Sequence, residues 1–372
     1  MGKWLEGAKQ EMITPSYPLT AAQQVAPKLN LDFTSAVLDP RITLTRAAAT
    51  ATRFNSDGEI EVMSADTARF DHDPITKVCK GLLIEEARTN LYTNSFITKN
   101  LGNNMTYTDG DVAPDPTQFF VLGQEDATTG EHYFQDRFLS VVSGNTYTFS
   151  VYAKQGIGDR LLVLRIDLGS ALFDFETQAV TSTGGYSSVS MTHIGGGIYR
   201  CQGTFTATST TNYLFRLQLF GAGFSYPGDG VSGIQVWGAQ VEEGAFPTSY
   251  IPTAASAVTR NADVATMTGT DFSDWYNASK GTFRVDASTP AIGVRPTVVV
   301  DDDTADNNIA MLTDGTSAKL IVNESGSEIA NVSAGTVTAN TPAFAYASYD
   351  TNYFGIARPT ARQNIFADIF KN

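Results

Sequence analysis

The stretch Thr146-Tyr147-Thr148-Phe149-Ser150-Val151-Tyr152-Ala153-Lys154 alternates with a period of two. Successive strand side chains point to opposite faces, so Tyr147, Phe149, Val151 and Ala153 share one face, while Thr148, Ser150, Tyr152 and Lys154 share the other. Two later runs keep the same period. Leu162, Leu164, Ile166 and Leu168 oppose Val163, Arg165 and Asp167; Tyr213, Phe215, Leu217 and Leu219 oppose Leu214, Arg216, Gln218 and Phe220. Glycine-rich connections separate the runs at Gly184-Gly185, Gly195-Gly196-Gly197 and Gly221-Ala222-Gly223. Strands spaced in this way, with no amphipathic helix between them, predict an antiparallel β-sandwich over residues 94–253, and a jelly roll is its natural form. Trp237 alternates in step with Ala239 and Val241 and is assigned to the core. Of the adjacent Phe119 and Phe120, one ring must face outward.

Composition agrees with a strand-rich globular chain. The 372 residues include 32 Gly, 22 Phe and 15 Tyr, with 42% hydrophobic and 17% charged residues. Asp and Glu number 39 against 25 Lys and Arg, a net charge of −14. That balance argues against a counterion-release grip on nucleic acid and against an anionic membrane surface. No apolar run reaches the roughly 18 residues of a membrane span, and Met1 to Gln10 lack the basic and apolar regions of a signal peptide, so a soluble chain that is not exported is expected. Cys79 and Cys201 are too few for a disulfide scaffold, which leaves stability to buried cores.

On either side of the sandwich the texture changes. Residues 1–30, with Trp4, Tyr17, Pro15, Pro18 and Pro27, hold no sustained period and read as an extended arm, either a free tail or a segment that orders against a partner with Trp4 and Tyr17 as anchors. Residues 31–93 carry hairpin signals, including the alternation around Ile42 and Leu44, the turn Asn55-Ser56-Asp57-Gly58 and the alternation at Ile60 and Val62, and form a small β unit. After the small-residue stretch Ala254-Ala255-Ser256-Ala257, alternation resumes at residues 297–300, 319–322 and 344–349. The expectation for 254–372 is a second, smaller β-sandwich. Asp271 to Ser279 is either a short helix or an irregular loop, and Gln363 to Asn372 has helical spacing suited to packing on a neighbour or capping a sheet edge.

Two strings are long enough to compare with known proteins. One is Gly81-Leu82-Leu83-Ile84-Glu85-Glu86-Ala87-Arg88-Thr89-Asn90-Leu91; the other runs from Trp237-Gly238-Ala239-Gln240-Val241-Glu242-Glu243-Gly244 through Ala245-Phe246-Pro247-Thr248-Ser249-Tyr250-Ile251-Pro252-Thr253 to Val258-Thr259-Arg260-Asn261-Ala262-Asp263. Together with Leu31-Asp32-Phe33, Arg41-Ile42-Thr43-Leu44-Thr45-Arg46 and Phe272-Ser273-Asp274-Trp275-Tyr276-Asn277, they resemble a family of tailed-bacteriophage virion proteins of the tail-fibre or head-decoration type. The resemblance implies a carbohydrate-binding-module-like jelly roll followed by a concanavalin-A-like or laminin-G-like lectin domain. The segment after Asp263 is shorter than a full domain of that kind. It further implies a virion location and attachment to other capsid or tail proteins, with no single activity; the residues considered next make a non-enzymatic chain the expectation, with a polysaccharide depolymerase the weaker alternative. Fibres and decorations are built by symmetric repetition, which makes a homotrimer the expected assembly.

Reactive chemistry is sparse. His72, His132 and His193 lie in separate contexts and supply neither a zinc cluster nor a base beside a nucleophile. Glu59 and Glu61 share a strand face, as glycosidase carboxylates can, but a solvated face explains them better. Glu85-Glu86 and Glu242-Glu243 read as strand-end charges that protect edges. Asp301, Asp303 and Asp306 lie in an acidic run that either holds a structural calcium or forms an ordinary solvated turn. No other cofactor is expected. A glycan site needs an aromatic platform and planar polar groups; Tyr152, Arg165, Asp167, Arg216 and Gln218, pointing away from the core face, either line one shallow groove for a host surface glycan or form a solvent or subunit face.

Overall fold

The computed structural model describes residues 27–48, 50–99, 101–290, 293–350 and 353–357. Trp4, Tyr17 and the segment Gln363 to Asn372 lie outside the described residues. Among the described residues, helix is confined to a 3₁₀ turn at Phe33–Ser35 and a short helix at Gly269–Ser273, and strands make up the remaining regular structure. The expected all-β, antiparallel class is what the alternation builds.

Two sheets face one another. The five-stranded sheet runs in the spatial order Tyr133–Val141, Thr211–Phe220, Leu161–Ile166, Gly169–Phe173, Val180–Ser182. The six-stranded sheet runs Ser188–Gly195, Ile198–Thr206, Thr146–Ile157, Gly233–Glu243, Phe119–Glu125, Met105–Val112. Every pairing in both is antiparallel. The inward residues are those expected from the period: Tyr147, Phe149, Val151 and Ala153 from one sheet meet Leu162, Leu164, Ile166, Phe215 and Leu217 from the other. Phe149 meets Phe215 edge to face at 5.5 Å, joining the layers. Each of the Val, Leu, Ile and Phe side chains among them, fully withdrawn from water, contributes about 1.5–3 kcal/mol.

The other face of the six-stranded sheet is covered as well. Phe120, Tyr152, Trp237 and Tyr250 pack there with Ile60 of the small β unit into a second apolar layer. This corrects the outward placement of Tyr152. Alternation assigned it a face, but the small unit and the 245–253 segment lie over that face, leaving Tyr152 2% exposed beside Trp237, Tyr250 and the Arg200 guanidinium. Trp237 is buried as expected, but on this second side. Ile234 and Val236 point into the sandwich, and so do Ala239 and Val241. Parity changes between Val236 and Ala239 because the pairing with Thr146–Ile157 shifts register between Ser150 and Tyr152. Gly238 sits there at φ +66°, a left-handed conformation that disfavours other residues.

The compact unit containing this sandwich spans Leu31–Asp274, past the boundary expected after Thr253. Val258–Arg260 pairs with Arg88–Asn90, and Val264–Thr266 pairs with Thr43–Thr45, so the chain returns to the small β unit before leaving it. From Trp275 onward a second unit holds a three-stranded sheet, Lys280–Ala287, Ala343–Asp350 and Tyr353–Ala357, and a four-stranded sheet, Arg295–Asp301, Asn308–Asp314, Ser317–Glu324 and Ser327–Thr336. Phe283, Val285 and Ala347 pack with Met311, Leu320 and Val322 to form its core.

Candidate functional site

The densest group of buried charges joins the strings quoted above. Asp263 accepts from Arg46 Nη1 at 2.8 Å, from the Arg69 guanidinium, and from the Glu85 backbone N–H at 3.0 Å. Glu85 accepts from Arg69 Nη1 at 2.7 Å and from Ser249 Oγ at 2.6 Å. Arg260, fully buried, lies 3.6 Å from Glu85 and donates to the Glu86 carbonyl at 2.9 Å. Burial opposes the charged form of Glu85, but Arg260, Arg69 and the Ser249 hydrogen bonds outweigh it and hold its carboxyl below the ordinary glutamate range. Glu85 is therefore a fastening for the small unit, where a strand-end charge had been expected. Glu242 is likewise buried, accepting from Gln240 Nε2 at 2.6 Å and from the Thr248 N–H at 2.9 Å; burial raises its carboxyl above the usual range. These groups are enclosed and bound chiefly to one another, although Arg46 Nε and Arg260 Nε have no hydrogen-bond partner; the arrangement suits cohesion.

An open site lies on the outer face of the five-stranded sheet. Arg165 and Arg216 stand directly opposite each other in the register of Leu161–Ile166 with Thr211–Phe220. Like charges so placed repel unless bridged, and Glu131 bridges them, accepting from each Nη1 at 2.6 Å. Asp136 completes the arrangement with a two-pronged contact to Arg216, at 2.5 Å from Nε and 2.8 Å from Nη2. Partial burial disfavours the Glu131 charge, but the two arginines prevail and its carboxyl falls below the ordinary range. The guanidiniums also lie over rings, Arg216 at 3.9 Å from the Tyr133 centroid and Arg165 at 5.5 Å from that of Phe224.

Beside this network is a concavity of about 290 Å³ lined by Arg165, Asp167, Ser170, Leu214 and Phe224, among others. Arg165 and Asp167 of the expected groove therefore meet at one opening. Asp167 is exposed and accepts the Leu214 N–H at 2.9 Å. Arg216 adjoins the opening through Glu131, with its side chain 11% exposed. Gln218 departs from the expectation: it is fully buried, accepting from Arg165 Nη1 at 3.3 Å and donating to the Phe224 carbonyl at 2.9 Å. The loop after residue 220 folds over it, so its amide holds Phe224 in place. Glu131, Asp136, Tyr133 and Phe224 were not foreseen. Only the polar Asp136, two residues from Phe138 on an edge strand, offered a signal.

Elsewhere, the imidazoles serve backbone carbonyls: His132 contacts those of Asn104 and Tyr226, and His72 that of Phe54. Glu61 pairs with Arg53 at 3.0 Å on an exposed strand face. In the acidic run, the Asp303 N–H donates to Asp301, and Asp302 accepts from Thr304 and from Asn307 Nδ2. Among the described residues no three His, Cys, Asp or Glu side chains converge as a metal site, Asp301, Asp303 and Asp306 included.

No protein-family model and no curated protein matches the sequence. Among solved structures, the chain is similar to the CBM22-1 and GH10 modules of the Clostridium thermocellum endo-1,4-beta-D-xylanase 10B complexed with xylohexaose, at 13% identity and a TM-score of 0.26. The match covers 45% of this chain and 30% of that one.

Proposed function

We propose that the chain is a non-enzymatic structural protein of a tailed-phage particle, attached through its N-terminal arm and displaying β-sandwich modules, in the expected form of a homotrimer. The observation in support is that the strings carrying the resemblance meet physically. Arg46, Glu85, Ser249, Arg260 and Asp263 come from four separated stretches and enter one buried network. The resemblance is then one of shared architecture, an interlocked scaffold, rather than of a reactive centre. The test is to purify particles and locate the protein on them by antibody labelling and image reconstruction. Particles lacking it sink the reading, and particles that incorporate a chain deleted for residues 2–30 sink attachment through the arm.

A second reading is favoured by the concavity: the outer face of the five-stranded sheet binds a host surface glycan. Arg165, Asp167 and Phe224 supply a donor, an acceptor and a ring at one opening, the combination that orients small ligands. Titrating the full chain with host surface polysaccharide tests it. Arg165→Ala should reduce binding at least about tenfold, a difference of roughly 1.4 kcal/mol; undiminished binding rules out this face.

A further inference from the structure

We infer that the concavity is selective for neutral sugars, gripping a pair of neighbouring hydroxyls on a pyranose and disfavouring uronic or other acidic residues; the inference rests on the glycan-binding reading. The argument begins with unused hydrogen-bonding capacity. Arg165 directs Nη1 to Glu131 and Gln218, which leaves Nε and Nη2 free of protein acceptors among the described residues. Asp167 takes the Leu214 N–H on Oδ2, which leaves Oδ1. The opening thus offers one planar donor and one anionic acceptor, two positions apart in the chain. Adjacent hydroxyls can each donate and accept, so a diol satisfies both groups at once.

Charge decides against an acidic ligand. Arg165 and Arg216 face three carboxylates, those of Glu131, Asp136 and Asp167, so the face carries one net negative charge. Arg216 is already held by both Asp136 and Glu131, and the whole chain stands at −14. Arg165 still offers Nε and Nη2, but its charge is already shared with Glu131, so a uronate reaching that edge would be the fourth carboxylate against two guanidiniums and would stand beside Asp167. Size narrows the class further. At about 290 Å³ the space is at the lower end of small-molecule pockets, which suits one sugar ring, or the end of a chain, against the Phe224 wall.

The test is a calorimetric titration of the full chain with neutral oligomers of glucose, galactose and mannose, and with the matching glucuronate, galacturonate and mannuronate oligomers. The inference expects at least one neutral series to bind and its uronate counterpart to bind at least about tenfold more weakly. Asp167→Asn keeps an oxygen for the Leu214 N–H but removes the charge, and should narrow that gap. Uronates binding as tightly as their neutral counterparts would overturn the selectivity while leaving glycan binding intact. If neither series binds, both fall. Neutral binding that Arg165→Ala leaves unchanged, in a variant with an unaltered thermal transition, would place the sugar elsewhere and overturn the assignment.

Discussion

Replacing Asp263 by alanine should loosen the small β unit from the sandwich. Its carboxylate has no exposed surface and pairs with both Arg46 and Arg69, whose side chains are also fully buried. Deleting one partner of a buried ion pair costs about 3–5 kcal/mol, because the surviving charge is stranded away from water. The Glu85 amide, now without its acceptor, adds about 1–3 kcal/mol. Part of this is recovered. Arg46 keeps the carbonyls of Ser64 and Thr67, and Arg69 keeps Glu85, Ser249 Oγ and the Thr52 carbonyl. The net expectation is a loss of about 3–4 kcal/mol, a large part of the 5–15 kcal/mol typical of a folded domain. Urea unfolding of the full chain should register it through Trp237, fully buried between the small unit and the six-stranded sheet, with Trp4 and Trp275 changed to phenylalanine to isolate the signal. A loss below about 1 kcal/mol, the value of a surface pair, would refute the view that this network fastens the two parts.

Acid should act on the same fastening. The lowered carboxyl of Glu85 contributes stability that is fully present above the ordinary glutamate range and is lost as pH falls through the folded value, so the urea midpoint should drop below about pH 4.5. Glu85→Gln should flatten that dependence, and an unchanged profile would show that Glu85 is not its source. Gly238→Ala should destabilise by about 1–2 kcal/mol from the left-handed backbone alone, with more from a Cβ placed 3.0 Å from Tyr152 Cδ2; a thermal melt equal to that of the parent would contradict the bulge. Phe215→Ala, at the centre of the sandwich core, should lower stability by about 3–5 kcal/mol in the same denaturation assay, and a loss under about 1 kcal/mol would mean that the two sheets do not meet there.

The central strands were legible because period-two alternation survives in their runs, as at Thr146–Ile157, Leu161–Ile166 and Thr211–Phe220. What alternation cannot convey is whether a face is covered. Thr148, Ser150 and Tyr152 read as outward and are outward of the sandwich, yet residues distant in sequence bury them. Nor does it survive a bulge: Gly238 inverts the parity that Trp237 was assumed to share with Ala239. The candidate site was half legible for a similar reason. Arg165 and Asp167 sit on a strand end whose orientation the pattern conveys, whereas Phe224 arrives on a glycine-rich loop and Glu131 on a connection, where no period exists to place them. Glu85 looked like an edge charge because its partners, Arg69, Ser249 and Arg260, are separated from it in sequence and come together only in the folded chain.

This division has a consequence for function. Arg46, Glu85, Trp237, Glu242, Tyr250, Arg260 and Asp263 all fall within the strings that carry the resemblance, and all are buried or nearly so, holding one part of the chain to another. Arg165, Asp167, Ser170 and Phe224 lie outside those strings, on strand ends and a loop of the opposite sheet. Scaffold and proposed recognition face therefore rest on separate residues. Substituting the concavity leaves the fastening network untouched, since the two share no hydrogen-bond partner, and distant sites of that kind change stability independently. Two proteins can then share the strings and the fold they enforce while differing in what the outer face of the five-stranded sheet binds. For this chain the strings account for architecture, and the proposed glycan binding must be tested at Arg165, Asp167 and Phe224 themselves.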